Sequence, residues 1–208
     1  LTHGGISNKI KVNLIRIESD KLKPNQISKK LKNVSGLLIP GGFGKRGTEG
    51  KISAIKYARE RKIPFLGICF GMQMAIIEFA RNKLKIKKAG STELDKKCYP
   101  VIGLINEWNK DGKIIKGTDK DLGGTMRLGL YEAKLRNNSA IKNIYKSNSI
   151  KERHRHRYEV NNNIKSQFES KGLMFSGMSP DNKLPEIIEL KNHPWFIGVQ
   201  FHPEFKSR

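Results

Sequence analysis

The stretch 63–80, which reads IPFLGICFGMQMAIIEFA, decides the fold of this chain of 208 residues. An apolar, strand-like run leads directly through G-I-C-F-G (67–71) into a helical pattern that places Met74 and Ile77 among apolar neighbours. Glycines two residues before and after Cys69 remove the Cβ atoms that would collide in so sharp a turn. The stretch therefore predicts a strand-to-helix junction that raises the Cys69 sulfur above the end of a sheet.

Strands and helices alternate around this junction. Strand-like runs lie at 11–17, 36–40, 65–69 and 99–105, and helical patterns lie at 25–34, 48–62 and 71–83. Later in the chain short strands dominate, at 126–135, 156–160, 173–179, 186–190 and 195–201. Because such alternation is typical of a parallel sheet covered on both faces, we predict one three-layer α/β domain over 1–208. Its central sheet is expected to be mostly parallel, flanked by helices, with an antiparallel extension.

The composition is strongly basic, with 41 Lys and Arg against 19 Asp and Glu and a net charge of +22. Such a charge is typical of proteins that bind nucleic acids. The lysines are scattered through every segment, however, so we expect a generally basic surface and no nucleic-acid partner, with phosphate-bearing small molecules left open as ligands. No apolar run approaches the roughly 20 residues of a membrane span, and no membrane partner is expected.

The two cysteines, Cys69 and Cys98, show neither a CxxC spacing nor a disulfide pattern. A reducing compartment is therefore expected, and we predict that the protein is cytoplasmic. The chain opens on Leu1 without a methionine and closes at Arg208 directly after a motif. We therefore expect a domain truncated at both ends and taken from a longer polypeptide.

Cys69 is the candidate nucleophile. Its position at a helix N-terminus, where unpaired N–H groups and the helix dipole meet, is expected to favour the thiolate. The alternative is a small buried core cysteine.

His202 and Glu204 are the candidate base and its orienting carboxylate. They lie in VQFHPEF (199–205), directly after an apolar strand. In an extended H-x-E segment the two side chains point to the same side, so Glu204 can orient and charge-stabilise the imidazole. The alternative for His202 is a surface turn residue before a proline.

An oxyanion hole is the next requirement, because attack on an amide carbonyl places negative charge on its oxygen. The segment LLIPGGFG (37–44) ends a strand in a glycine-rich turn. Gly42 and the N–H of Phe70 are the expected donors. A loop that cradles a phosphate is the alternative for this turn.

The run RHRHRY (153–158) alternates cationic and imidazole side chains. On a strand, the arginines would point to one face and the two histidines to the other. The H-x-H spacing suggests a metal site, but no third ligand lies nearby in the sequence, so no metal is expected.

A glycine-rich turn, G-x-C-x-G and a late H-P-E together resemble the class I glutamine amidotransferases, which have a flavodoxin-like α/β fold. Six segments resemble, more narrowly, the C-terminal glutaminase domain of the CTP synthase family: 40–51, 66–73, 90–94, 121–129, 152–161 and 193–205. These segments extend across nearly the whole chain.

The resemblance implies that Cys69 attacks the side-chain amide of L-glutamine and forms a glutamyl thioester, which water hydrolyses. His202 would accept the thiol proton, protonate the departing ammonia and activate the water, while Glu204 holds the imidazole. The glutamine-binding residues that it implies are Gly42, Phe70, Gly71, Met72, Gln73, Glu93 and Arg157. Without the resemblance, Glu93 would be interpreted as a solvated loop carboxylate.

The resemblance also implies partners outside this chain. An N-terminal synthetase domain would use ATP, Mg and the released ammonia to convert UTP into CTP, with GTP as an allosteric activator and the segment 122–129 responding to it. The full-length protein is expected to be a homotetramer, and this domain is expected to need no cofactor of its own. A first strand and part of a helix before Leu1, and a final helix after Arg208, are expected in addition.

Two other functions stay open on the sequence. One is a γ-glutamyl hydrolase or related cysteine hydrolase of similar fold. The other is a basic binding or scaffold domain with an inactive site, against which the intact Cys69, His202 and Glu204 argue.

Overall fold

The computed structural model of the protein describes residues 1–104, 107–110, 113–116 and 126–207. The helices are α1 (Thr2–Ser7), α2 (Ile27–Lys30), α3 (Thr48–Arg61), α4 (Phe70–Asn82), α5 (Ala140–Tyr145) and α6 (Lys165–Ser170). The strands are β1 (Leu37–Ile39), β2 (Phe65–Ile68), β3 (Ala89–Ser91), β4 (Tyr99–Leu104), β5 (Glu107–Lys110), β6 (Lys113–Lys116), β7 (Arg127–Leu135), β8 (Ser149–His156), β9 (Tyr158–Val160), β10 (Leu173–Met178), β11 (Pro185–Leu190) and β12 (Phe196–Val199). Short 3₁₀ turns cover Ser19–Lys21, Pro24–Gln26, Asn162–Ile164 and Pro203–Phe205.

A seven-stranded sheet with the order β1-β2-β12-β11-β10-β7-β8 forms the centre of the fold. Strand β2 pairs in parallel with β1 on one side and with β12 on the other. The remaining neighbours, from β12 to β8, are antiparallel. The predicted α/β fold with an antiparallel extension is confirmed.

In the central sheet, parallel pairing is less extensive than expected, since it is confined there to β1, β2 and β12. The reason is the length of the connections. A helix follows β1 and another follows β2, and such crossovers permit parallel neighbours. Only a few residues join β10 to β11 and β11 to β12, and such short connections join antiparallel neighbours.

Apolar clusters lie on both faces of the sheet, as the predicted three-layer arrangement requires. The larger cluster packs α3, α4 and α6 against the strands and includes Phe65, Phe79 and Phe168. The smaller one lies on the other face, where Ile141 and Tyr145 of α5 pack with Ile187 and Val199. The central helix α4 is buried along almost its whole length, which explains why its sequence is mostly apolar.

The predicted strand at 11–17 is wrong, because this segment is irregular. Its apolar side chains are largely exposed, with Leu14 at 53% and Ile15 at 67%. Only Ile17 packs against a core cluster, that of Leu22 and its neighbours. In the part of the chain that the structure describes, no strand pairs with this segment, so its high strand propensity is not realised.

Other predictions need smaller corrections. The helix expected at 25–34 is reduced to a 3₁₀ turn and the single turn of α2. Strand β4 forms, but it belongs to a separate sheet with the order β3-β4-β9. The strand predicted at 156–160 is divided between β8 and β9 by a bend at Arg157.

Among the described residues, no helix is both long and apolar enough to cross a membrane.

Candidate active site

Cys69 lies at the turn between β2 and α4, as predicted, with φ 49° and ψ −102°. A positive φ at a residue other than glycine is strained, and such strain is typical of a nucleophile on a strand-to-helix turn. Its N–H donates to Val199 O at 2.7 Å, which ties the turn to the end of β12. The flanking glycines are required: a Cβ on Gly67 would lie 2.7 Å from the Gly71 carbonyl carbon, and one on Gly71 would collide with Ile39 O.

The electrostatics of Cys69 differ from the prediction. The residue is only 2% exposed. Burial raises the pKa of its thiol to about 12; the N–H of Phe70 lowers the pKa, and the carboxylates of Glu159, Glu204 and Glu93 raise it further. The helix N-terminus therefore lowers the pKa of the thiol, as expected, but desolvation raises it by more. The resting sulfur is a thiol.

His202 and Glu204 form a hydrogen-bonded pair just after β12. Nδ1 of His202 lies 2.7 Å from Oε1 of Glu204. The segment is a 3₁₀ turn and not the extended H-x-E that we predicted, because Pro203 starts the turn at Pro203–Phe205. The carboxylate still reaches the imidazole, so the correction concerns the backbone and not the pairing.

The other ring nitrogen of His202, Nε2, is buried and has no hydrogen-bond partner among the described residues. The imidazole stacks on Phe205 with ring centroids 4.8 Å apart. The Cε1 atom of the ring is close to Gly41, where a Cβ would lie only 2.7 Å from it. The ring is therefore held in one orientation, with Nε2 as the nitrogen left to accept a proton.

Cys69 and His202 follow neighbouring strands of the sheet, since β2 and β12 are parallel and Ile68 is paired with Val199. The structure places both residues beyond the carboxyl ends of these strands. No hydrogen bond joins Cys69 Sγ to His202 in the described part of the chain; the donor to Sγ is Nε2 of Gln200, at 3.7 Å. Gln200 was not among the predicted site residues, although it lies only two residues before the predicted His202.

The glycine-rich turn after β1 lies beside the nucleophile turn. A Cβ on Gly42 would be 3.9 Å from Phe70 Cδ1, so the two residues predicted to supply the oxyanion donors are neighbours. Phe70, Gly71 and Met72 are buried in the first turn of α4. Glycine is required more strictly at Gly41, because a Cβ there would collide with the His202 imidazole. Gly41 was not among the predicted site residues.

The remaining predicted glutamine-binding residues lie around this turn. Glu93 accepts a hydrogen bond from the Gly44 N–H at 2.8 Å. Gln73 is only 2% exposed, and its amide donates to Tyr158 O at 2.9 Å. Arg157 is half-buried at the bend between β8 and β9, and its Nε has no hydrogen-bond partner among the described residues. Residues 122–125 of the segment 122–129, which was expected to respond to GTP, lie outside the residues that the structure describes.

A buried charged cluster, which we call the Arg127 cluster, lies beneath the site and was not predicted. Arg127 donates to Glu159 and to Glu186, each at 2.7 Å. His154 and His156 face inward from β8, with a nitrogen of one ring 2.9 Å from a nitrogen of the other. The predicted alternation is confirmed on β8, where Arg153 and Arg155 are exposed while both histidines are buried. The third arginine of the run, Arg157, lies outside the strand at the bend that follows it.

The chain is similar to known proteins along its whole length. The model of the family described as "Glutamine amidotransferase class-I" matches residues 1–208. The CTP synthase of Pelagibacter ubique is 77% identical over 208 residues, and that of Zymomonas mobilis is 56% identical over 211 residues. All of this chain is covered in both comparisons, yet it spans only 39% of the length of each relative.

Among solved structures, the glutaminase domain of Trypanosoma brucei CTPS with bound acivicin superposes with a TM-score of 0.87 and 33% identity, covering 98% of this chain and 77% of that one. This identity over most of both chains, together with the match to the family model over residues 1–208, establishes the family of this chain. The chain belongs to the glutamine amidotransferase class-I family and, within it, to the glutaminase domains of CTP synthases.

Proposed function

We propose that this domain hydrolyses the side-chain amide of L-glutamine through a thioester on Cys69. The observation that carries the proposal is the placement of a strained cysteine and a carboxylate-bound histidine after two adjacent parallel strands. This is the arrangement that a nucleophile, its base and an orienting group require.

The chemistry follows from the geometry. Nε2 of His202 takes the proton of the Cys69 thiol, and the sulfur attacks the amide carbon of glutamine. Gly42 and the Phe70 N–H are proposed to bind the oxygen that becomes negative. The carbon–nitrogen bond then breaks, and His202 returns the proton to the departing ammonia. Water, deprotonated by the same imidazole, hydrolyses the thioester to glutamate and the free thiol.

The glutamine site is proposed to lie between the glycine-rich turn, the start of α4 and β9. Glu93 supplies a carboxylate for the ammonium group of glutamine, and Arg157 supplies a guanidinium for its carboxylate. Both placements are supported by the structure: Glu93 bonds the turn at Gly44, and the Nε atom of Arg157 has no partner within the described residues. Gly71, Met72 and Gln73 complete the site.

We further propose that the ammonia passes to an N-terminal synthetase domain of the full-length protein, where ATP and Mg activate UTP for conversion to CTP. Support comes from the curated relatives, which carry the name CTP synthase and are much longer than this chain. GTP as an activator, a homotetramer and a cytoplasmic location are part of the same proposal. No cofactor is proposed for this domain.

Covalent labelling tests the proposed nucleophile. The full-length protein is incubated with a diazo-ketone analogue of glutamine and digested, and the labelled peptide is identified by mass spectrometry. We expect one label on Cys69 that excess glutamine prevents, and none in Cys69→Ala. Cys98 is the internal control, because it lies outside the proposed site. Glutamine-protected labelling elsewhere, with Cys69 unmodified, would contradict the proposal.

A further inference from the structure

Gln200 is a buried amide beside the nucleophile that the mechanism above does not use. Its side chain is fully buried, and Nε2 lies 3.7 Å from Cys69 Sγ. Its backbone is fixed as well, since its N–H donates to Glu186 O at 2.8 Å. Val199, the preceding residue, accepts the Cys69 N–H. The end of β12 thus contacts both the backbone and the sulfur of the nucleophile.

The orientation of this amide follows from its neighbours. Tyr158 O can only accept, so the atom of Gln73 that lies 2.9 Å from it is the donor Nε2. The same nitrogen lies 3.4 Å from Gln200, which must therefore present its oxygen to Gln73. The nitrogen of Gln200 is left facing the sulfur. We call Tyr158 O, Gln73 and Gln200 the amide relay.

The surroundings of the sulfur make a fixed donor important. Cys69 is buried, and the titratable groups around it are Glu93 on the turn after β3, Glu159 on β9, and His202 and Glu204 after β12. Each of the three carboxyl groups opposes a negative sulfur when it is ionised. An N–H donor that points at a charged acceptor stabilises it more than it stabilises the neutral form.

We propose that Gln200 is a further catalytic residue of this site: its side-chain amide, oriented by Gln73, donates an N–H to Cys69 Sγ and stabilises the attacking thiolate. The proposal rests on the proposed function only for the reaction that this thiolate serves. It also gives Gln73 a second role, because its amide orients Gln200 in addition to facing the glutamine site.

The test measures the reactivity of Cys69 directly, without glutamine. The full-length protein is alkylated with iodoacetamide between pH 6 and 10, and Cys69 is quantified by mass spectrometry. Trypsin places Cys69 in the peptide 63–81 and Cys98 in the peptide 98–110, so both thiols are followed in one sample. Gln200→Met removes the donor at similar side-chain length, and Gln167→Met, at an exposed position, is the matched control.

We expect Gln200→Met to lower the alkylation rate of Cys69 at pH 7.5 about tenfold and to shift its pH profile upward by about one unit. Cys98 in the same samples, and Cys69 in Gln167→Met, should keep the wild-type profile. An unshifted Cys69 profile in folded Gln200→Met overturns the proposal. If circular dichroism shows that this variant does not fold, Gln73→Met decides: a fall of about threefold supports the relay, and an unchanged rate overturns it.

The result is independent of glutamine turnover. A shifted profile in a protein that does not hydrolyse glutamine would support the role of Gln200 and contradict the proposed function. Glutamine hydrolysis with an unshifted Cys69 profile would support the proposed function and contradict the role of Gln200.

Discussion

Nδ1 of His202 is held 2.7 Å from Oε1 of Glu204, while Nε2 of the same ring is buried without a partner within the described residues. A carboxylate can only accept at this distance, so Nδ1 carries the proton and the lone pair of Nε2 is available. The pairing therefore selects the tautomer that can take a proton from a thiol.

Glu204→Gln tests this relationship. The amide keeps the shape but can donate to Nδ1, which selects the wrong tautomer and removes the charge that stabilises the imidazolium. We expect kcat for glutamine hydrolysis to fall about 100-fold or more, with a smaller change in KM. Glu60→Gln is the control, because the side chain of Glu60 is 50% exposed and that of Glu204 is 47% exposed. Equal kcat values for Glu204→Gln and the wild type would exclude the orienting role.

Gly41→Ala is expected to disturb the catalytic imidazole. The added Cβ would lie 2.7 Å from His202 Cε1, so the ring must move away from its pairing with Glu204. We predict a loss of kcat of about tenfold or more with a thermal unfolding temperature close to that of the wild type. Gly103→Ala is the matched control, because a Cβ there meets nothing within 4 Å. Full activity in Gly41→Ala would show that the position of the ring is not critical.

Glu93 is expected to act on glutamine binding. Glu93→Ala removes the carboxylate that accepts from the Gly44 N–H and that we propose for the substrate ammonium. The predicted result is a rise in KM for glutamine of about 10-fold to 100-fold, with a smaller change in kcat. CTP formation from added ammonia should not change. A variant that loses kcat while KM stays constant would place Glu93 outside the substrate site.

The Arg127 cluster makes stability depend on pH. One guanidinium cannot neutralise two buried carboxylates, and burial raises the pKa of Glu159 to about 8 and raises that of Glu186. The folded state then holds protons that the unfolded state releases above pH 4.5, so stability falls as pH rises towards 8. Burial lowers the pKa of His154 and of His156, which opposes this trend only below pH 6.5.

We therefore expect the free energy of unfolding to decrease between pH 6.5 and 8, by about 1 kcal/mol per pH unit for each proton retained. Glu186→Gln should reduce this slope, because one of the two carboxylates is gone. Glu18→Gln, at an exposed position, should leave the slope unchanged. The measurement is chemical unfolding of this domain in the full-length protein at several pH values. A slope that Glu186→Gln leaves unchanged would assign the pH dependence to other groups.

Features that depend on neighbouring residues in the sequence were predictable. The nucleophile turn needs only a strand, two glycines and a helix start, all within the stretch 63–80, and the structure has them there. The inward histidines of β8 follow from the alternation of a strand.

Features that depend on distant partners were not predictable from the pattern. The segment 11–17 has a strand composition but no pairing strand among the described residues, so it stays irregular. The burial of Glu159 and Glu186 depends on Arg127, which comes from another strand. The raised pKa of Cys69 reflects how deeply the packed fold buries the turn, and the helix position alone suggested the opposite.

On the proposed mechanism, Cys69 carries the glutamine half of the reaction and nothing else. The decisive experiment supplies the full-length Cys69→Ala protein with UTP, ATP and Mg, and with either glutamine or free ammonia as the nitrogen source. We predict no CTP from glutamine and a wild-type rate of CTP formation from ammonia. CTP formation from glutamine by Cys69→Ala would contradict it.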